Sequence, residues 1–218
     1  MLKNIKAAIF DLDGTLVDSM WVWEQIDIDF LSSKGIEMPK NLKEEINHLS
    51  FQQTAHYFKE RFSLKESPEE LMDIWHNMAY DHYCKDIKLK DGVFEYLSYL
   101  KSKNIKIGLA TSNSIPLLTA ALKSNNIMYF FDEISITNEV STGKNNPDIY
   151  LLSAKKLGVS PEECIVFEDI IEAVNGAKKA NMFVVAIYDK CAEHQKESLI
   201  AKADKYIMSF NDLLNTNS

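Results

Sequence analysis

Apolar positions along this chain follow two rhythms. Ala7-Ala8-Ile9-Phe10 is a short continuous apolar run near the start. Similar runs recur after residue 90, as Ile105-Lys106-Ile107-Gly108-Leu109-Ala110, Glu133-Ile134-Ser135-Ile136, Cys164-Ile165-Val166-Phe167 and Met182-Phe183-Val184-Val185-Ala186-Ile187. Runs of this length, many of them rich in β-branched residues, predict short buried strands. Stretches with helical spacing lie between them, from Pro147 to Leu157 and from Ile170 to Ala180. Strands alternating with helices predict a parallel sheet covered on both faces.

The stretch from Thr15 to about Lys90 keeps the helical rhythm alone. Ser67-Pro68-Glu69-Glu70 combines an N-cap serine, a first-turn proline and a glutamate three residues after the serine, and Leu71, Ile74, Trp75 and Met78 continue as one apolar stripe. Trp23, Ile26 and Phe30 form a shorter stripe, and Ala55, Phe58 and Phe62 another. The expected organisation is therefore a sheet core made of residues 1–14 and 91–218, with an all-helical insertion over 15–90 that acts as a lid. Asp18-Ser19 is expected to cap the first helix of the insertion, and Trp21, Trp23 and Trp75 to pack in its core.

Composition narrows the classes. The 218 residues are 46% apolar, enough for a real core, and a net charge of −8 argues against nucleic acid, which needs a basic face. The clustered lysines Lys85, Lys88 and Lys90, and Lys178 with Lys179, are expected on solvated surfaces. Cys84, Cys164 and Cys191 are odd in number and widely spaced, which predicts reduced thiols. No stretch has the length of a membrane span, and the apolar run before Asp11 is too short for a signal peptide, so a cytoplasmic location is expected.

The chemistry gathers where the predicted strands end. In open parallel sheets ligands collect at the carboxyl ends of the strands. Asp11 follows the first run, Thr111 the second, and Glu168-Asp169 the run that ends at Phe167, while Lys144 lies in the loop after the third, just before Pro147. Asp11 and Asp13 are two residues apart, a spacing that aims two carboxylates into one small volume at the strand's end. Their repulsion is relieved only by a cation or a shared proton.

The string Phe10-Asp11-Leu12-Asp13-Gly14-Thr15-Leu16 resembles the first signature of the haloacid dehalogenase-like superfamily of phosphotransferases. Thr111 in Leu109-Ala110-Thr111-Ser112-Asn113 matches the second signature, Lys144 before Pro147-Asp148-Ile149-Tyr150 the third, and Glu168-Asp169 the fourth. The resemblance covers nearly the whole chain and is strongest to the subgroup with a helical cap after the first signature, which includes phosphoglycolate phosphatase-like enzymes and beta-phosphoglucomutase. It implies an α/β Rossmann-like core with an inserted cap. It also implies Asp11 as nucleophile, Asp13 as general acid and base, and Mg²⁺ held by the Asp11 carboxylate, the Asp13 carbonyl and Asp169, with Glu168 acting through water. Lys144 and Thr111 would hold the transferring phosphoryl group with nearby donors of Ser112 and Asn113.

Two departures bear on the reaction. Asn145 and Ile170 stand where many relatives carry proline and a small polar residue. Beta-phosphoglucomutase-like sequences carry a histidine early in the first cap helix and a lysine and an arginine near residues 47–52, where this chain has Trp23 and Asn47-His48-Leu49-Ser50-Phe51-Gln52. A mutase needs cations there to grip a second phosphate. The first reading is accordingly hydrolysis of a small phosphorylated metabolite, such as a sugar phosphate, through an aspartyl phosphate. The alternatives are a phosphomutase and a non-catalytic protein that binds a phosphorylated ligand.

Overall fold

The central apolar runs become strands inaccessible on both faces, as a sheet covered on both sides requires, while the edge run Glu133–Ile136 is only partly buried. In the computed structural model, which describes residues 4–46 and 51–214 with Lys43 and Glu44 as backbone alone, six parallel strands form the main sheet. They are β1 (Ala7–Phe10), β4 (Lys106–Thr111), β5 (Glu133–Ile136), β6 (Cys164–Glu168), β7 (Phe183–Ile187) and β8 (Lys205–Ile207). A two-stranded antiparallel ribbon pairs β2 (Val17–Asp18) with β3 (Lys88–Leu89). The main-sheet order is β5-β4-β1-β6-β7-β8, so the chain winds outward from β1 first to one side and then to the other. The reversal falls beside β1, the place where such sheets open a crevice.

Alternation along β1 divides the core between the two sheet faces. Ala7 and Ile9 pack in one cluster with Ile149, Tyr150, Ala154 and Leu157 of α7 (Asp148–Leu157) and Val174 and Ala177 of α8 (Ile171–Lys179). Phe10 instead stacks on Phe167 at 4.5 Å between ring centroids, with Tyr96 and Phe210 against both rings. Tyr96 comes from α5 (Val93–Ser102), and α6 (Ile115–Ser124), α9 (Lys196–Lys202) and α10 (Asn211–Leu214) complete the helices of this unit. The expected helix from Ile170 to Ala180 is one residue shorter at each end, and β8 carries no apolar run in the sequence.

The chain separates into two compact units, one of Met1–Met20 with Ile87–Ser218 and one of Trp21–Asp86. The second contains α1 (Val22–Ser33), α2 (Leu42–Ile46), α3 (Phe51–Arg61) and α4 (Pro68–Lys85). Its interior is aromatic, with the Trp75 ring 4.9 Å from Phe58 and 5.8 Å from Phe30. At the start of α4 the Ser67 hydroxyl accepts from the Glu70 amide while the Glu70 carboxylate accepts from the Ser67 amide, so two otherwise orphaned donors are satisfied.

Several expectations are corrected here. Trp75 is buried, but Trp21 and Trp23 are 36% and 39% exposed and do not belong to the core. The first helix begins at Val22 with no side-chain cap, so Asp18-Ser19 does not cap it. Lys90 is not on a solvated surface, since only 15% of its side chain is accessible. Among the described residues Cys84, Cys164 and Cys191 form no disulfide. Among the described residues no helix is long and apolar enough to cross a membrane.

Candidate active site

Asp11 is the first residue beyond β1, and its amide donates to the Phe167 carbonyl of β6 at 3.0 Å, which carries the sheet register one step past the strand. The strand does not continue to Asp13. The chain turns through Gly14, which has a positive φ of 81° that a side chain would strain. Asp13 nevertheless stays near enough for its charge to act on Asp11.

Gly14 has a second reason to lack a side chain. A Cβ there would lie 2.3 Å from Oδ2 of Asp169, so the bare backbone lets the Asp169 carboxylate rest against the turn. The Thr15 hydroxyl donates to the other Asp169 oxygen at 3.3 Å. Glu168 ends β6, Asp169 follows it, and both are almost wholly buried, as is Asp11. One carboxylate oxygen from each of Asp11, Glu168 and Asp169 falls within 4.8 Å of the others.

Lys144 reaches this cluster through a second close approach. A Cβ on Gly176 of α8 would meet the Lys144 carbonyl oxygen at 1.9 Å, so the glycine lets the loop press against the helix. From there the Lys144 ammonium lies 2.5 Å from Asp11 Oδ1 and 2.6 Å from Glu168 Oε1, with only 10% of its side chain exposed. The Tyr150 hydroxyl of α7 donates to the same Glu168 oxygen at 2.8 Å. Glu168 Oε2 is buried with no hydrogen-bond partner.

Three carboxylates and one ammonium leave an excess of negative charge out of contact with bulk water. Burial, which penalises the charged form, lifts Asp11 above the ordinary carboxylate range against the pull of Lys144, and Asp13 adds to the rise. Burial also pushes Glu168 up to about 7, opposed by Lys144 and reinforced by Asp11. Asp169 is raised well above its usual value by burial, then by Asp11 and Glu168. Burial works against the charge of Lys144, but Asp11 and Glu168 outweigh it and hold the ammonium above its normal range. A hard divalent cation, whose preferred donors are oxygens, fits this set, and the unpartnered Glu168 oxygen faces no competing donor.

Asp13 is held apart from that cluster. The Ser19 hydroxyl donates to its Oδ1 at 2.6 Å and the Asn113 amide nitrogen to its Oδ2 at 2.8 Å. Thr111 is buried at the end of β4, its hydroxyl accepting from the Asn113 amide at 3.0 Å, while Ser112 is exposed. Asp11, Lys144, Glu168 and Asp169 thus come together, and Asp13, Thr111 and Asn113 form an adjoining hydrogen-bonded chain. The residues that pattern reading missed are Ser19, taken for a helix cap, and Thr15 and Tyr150, which sit inside signatures quoted for other residues. Tyr150 was recoverable, because a tyrosine in an apolar helical stripe needs a partner for its hydroxyl.

Comparisons with known proteins place the chain in a family. A family model described as "Haloacid dehalogenase-like hydrolase" matches residues 8–187. The "Phosphorylated carbohydrates phosphatase" of Thermotoga maritima is 30% identical over 178 residues, 82% of each chain. The "Beta-phosphoglucomutase" of Bacillus subtilis is 32% identical over 202 residues, 84% of this chain and 83% of its own. A solved structure from Thermotoga maritima, described as a "putative beta-phosphoglucomutase", superposes with a TM-score of 0.86 at 28% identity over 98% of each chain.

Proposed function

The chain belongs to the haloacid dehalogenase-like hydrolase family and is a phosphatase, and from that premise we propose that it hydrolyses a small phosphorylated metabolite, a sugar phosphate above all, using Mg²⁺ and an aspartyl-phosphate intermediate on Asp11. The observation that carries the reading is the division of labour among the carboxylates. Asp11, Glu168 and Asp169 share one buried volume with Lys144, while Asp13 is hydrogen-bonded elsewhere, to Ser19 and Asn113.

Each residue then has one task. Asp11, Asp169 and the Asp13 carbonyl would hold Mg²⁺, with Glu168 oriented toward its water shell by Tyr150 and Lys144. When bound, the ion neutralises charge that would otherwise repel a phosphate dianion from a carboxylate. An Asp11 oxygen attacks phosphorus, the bond from phosphorus to the ester oxygen breaks, and Asp13 gives its proton to the departing alkoxide. Water then attacks phosphorus and loses a proton to Asp13, and the bond to Asp11 breaks to restore the carboxylate and release phosphate. Lys144, Thr111 and the donors of Ser112 and Asn113 bind the transferring oxygens, in-line transfer being mainly a matter of positioning and charge.

Hydrolysis is favoured over phosphoryl return by the helical unit. Trp23, at the first cap position where mutase-like sequences carry histidine, packs its ring 5.6 Å from Phe51 and offers no cation. At the second position, residues 47–50 lie outside the described residues, and their sequence includes neither lysine nor arginine. The test is phosphate release from a panel of sugar phosphates by metal-stripped protein before and after addition of Mg²⁺, with borohydride trapping of the acyl phosphate. Release that depends on Mg²⁺, matches substrate consumed and labels Asp11 is the expected result. Isomerised sugar phosphate without free phosphate would assign the chain to the mutases.

A further inference from the structure

Lys90 emerges from β3 into the interior of the sheet unit. Its ammonium has three hydrogens, and each finds an oxygen: the Gly14 carbonyl at 2.5 Å, the Tyr188 carbonyl at 2.6 Å and Asp189 Oδ2 at 3.0 Å. Its own backbone amide donates to the Leu16 carbonyl at 2.9 Å. Lys90 therefore grips the turn after β1 twice, through its side chain and its main chain. Asp189 is itself immobilised, because its other oxygen accepts from the Cys191 amide at 2.8 Å.

The turn that Lys90 grips is the wall of the acidic cluster. Gly14 is fixed on both sides, its amide donating to the Val17 carbonyl at 2.9 Å and its carbonyl accepting from Lys90. The same glycine abuts the Asp169 carboxylate, and the following Thr15 donates to it. The peptide just before Gly14 carries the Asp13 carbonyl. A displacement of this turn would move the Asp13 carbonyl and the support of Asp169 together.

We propose that Lys90, locked in place by Asp189, is a positioning residue for the divalent-metal site: it sets the Asp13–Gly14–Thr15 turn on which the metal-binding carbonyl and the Asp169 carboxylate depend. The proposal rests on the metal-dependent reading above. Lys90 is not among the proposed metal ligands, and its contacts with them run through the turn.

The experiment is calorimetric titration of MgCl₂ into metal-stripped wild-type protein and the variants Lys90→Met and Asp189→Asn, with thermal melts of each. Groups that orient metal ligands contribute about 10- to 100-fold in affinity, so the Mg²⁺ dissociation constant of Lys90→Met should rise about tenfold or more. Asp189→Asn keeps an oxygen for the Cys191 amide but removes the charge that secures Lys90, and should weaken Mg²⁺ in the same direction by less. A lower melting temperature with Mg²⁺ affinity within about twofold of wild type would make Lys90 a staple of the fold only and overturn the proposal. If Lys90→Met does not fold, an unchanged affinity in Asp189→Asn overturns it equally. Wild-type protein that takes up no Mg²⁺ overturns the functional reading together with this one, whereas wild type that binds and variants that match it overturn this one alone.

Discussion

The two units bury opposite kinds of side chain. At the carboxyl edge of the sheet, Asp11, Glu168, Asp169 and Asp189 are buried with Lys144 and Lys90 as their cations. In the helical unit Phe30, Phe58 and Trp75 fill the interior, and the chief carboxylate drawn inward is Asp27, raised to about 7 by burial and by Glu24. Aromatic packing stabilises directly through buried area and ring contacts. A buried ion cluster costs desolvation that its internal attractions only partly offset, and replacing such a cluster by apolar residues is often stabilising. The sheet edge therefore sacrifices stability for chemistry, and the helical unit does the reverse.

Substitutions can break that contrast. The largest effect is expected from Asp11→Asn, which would remove both the proposed nucleophile and a proposed anionic metal ligand and should lower phosphate release at least about 10³-fold with the melt little changed or raised. Phe58→Ala is its mirror image. It should cost about 3–5 kcal/mol in denaturant unfolding, the range for truncating a buried aromatic ring, while turnover per folded molecule holds.

Acidity sharpens the comparison. Free glutamate loses its proton near 4.5 and Glu168 near 7, so between those values folded, metal-free protein binds more protons than the unfolded chain. Stability therefore falls as pH rises through this window. Asp27 contributes a similar fall between 3.8 and about 7. Mg²⁺ should abolish the sheet-edge part only, because an ion stabilises the charged carboxylates. Asp27→Asn should remove the helical part and raise stability at pH 8 by about 1–2 kcal/mol, read from melts at a series of pH values. The smallest change is Ser67→Ala, which removes one side of the reciprocal cap on α4 and should cost about 1 kcal/mol with no effect on turnover.

The same contrast explains what could be read from the sequence. Apolar runs announced β1, β4, β6 and β7 because a strand buried on both faces has no polar side to show, the edge strand β5 was marked by its alternating isoleucines, and the crevice at their carboxyl ends followed from the parallel order. Thr111, Lys144 and Glu168-Asp169 were legible because each stands just after such a run or before a helix-starting proline. Ser19 and Lys90 were not. Each belongs to a polar residue type usually found at caps or surfaces, and each owes its place to a partner that only the folded turn brings near: Asp13 for Ser19, Gly14 and Asp189 for Lys90. The exposed Trp21 and Trp23 misled for the opposite reason, since large aromatic rings ordinarily signal a core.

Gly176 carries a warning for protein engineers. Exchanging a mid-helix glycine for alanine is a routine route to thermostability, worth about 0.5–1 kcal/mol in an unobstructed helix. On α8 the added methyl would collide with the Lys144 carbonyl at 1.9 Å and drive the ammonium out of the cluster it neutralises. A stabilisation campaign that scans for helical glycines should leave this one untouched, because the clash falls on backbone and would cost both the helix packing and the placement of Lys144.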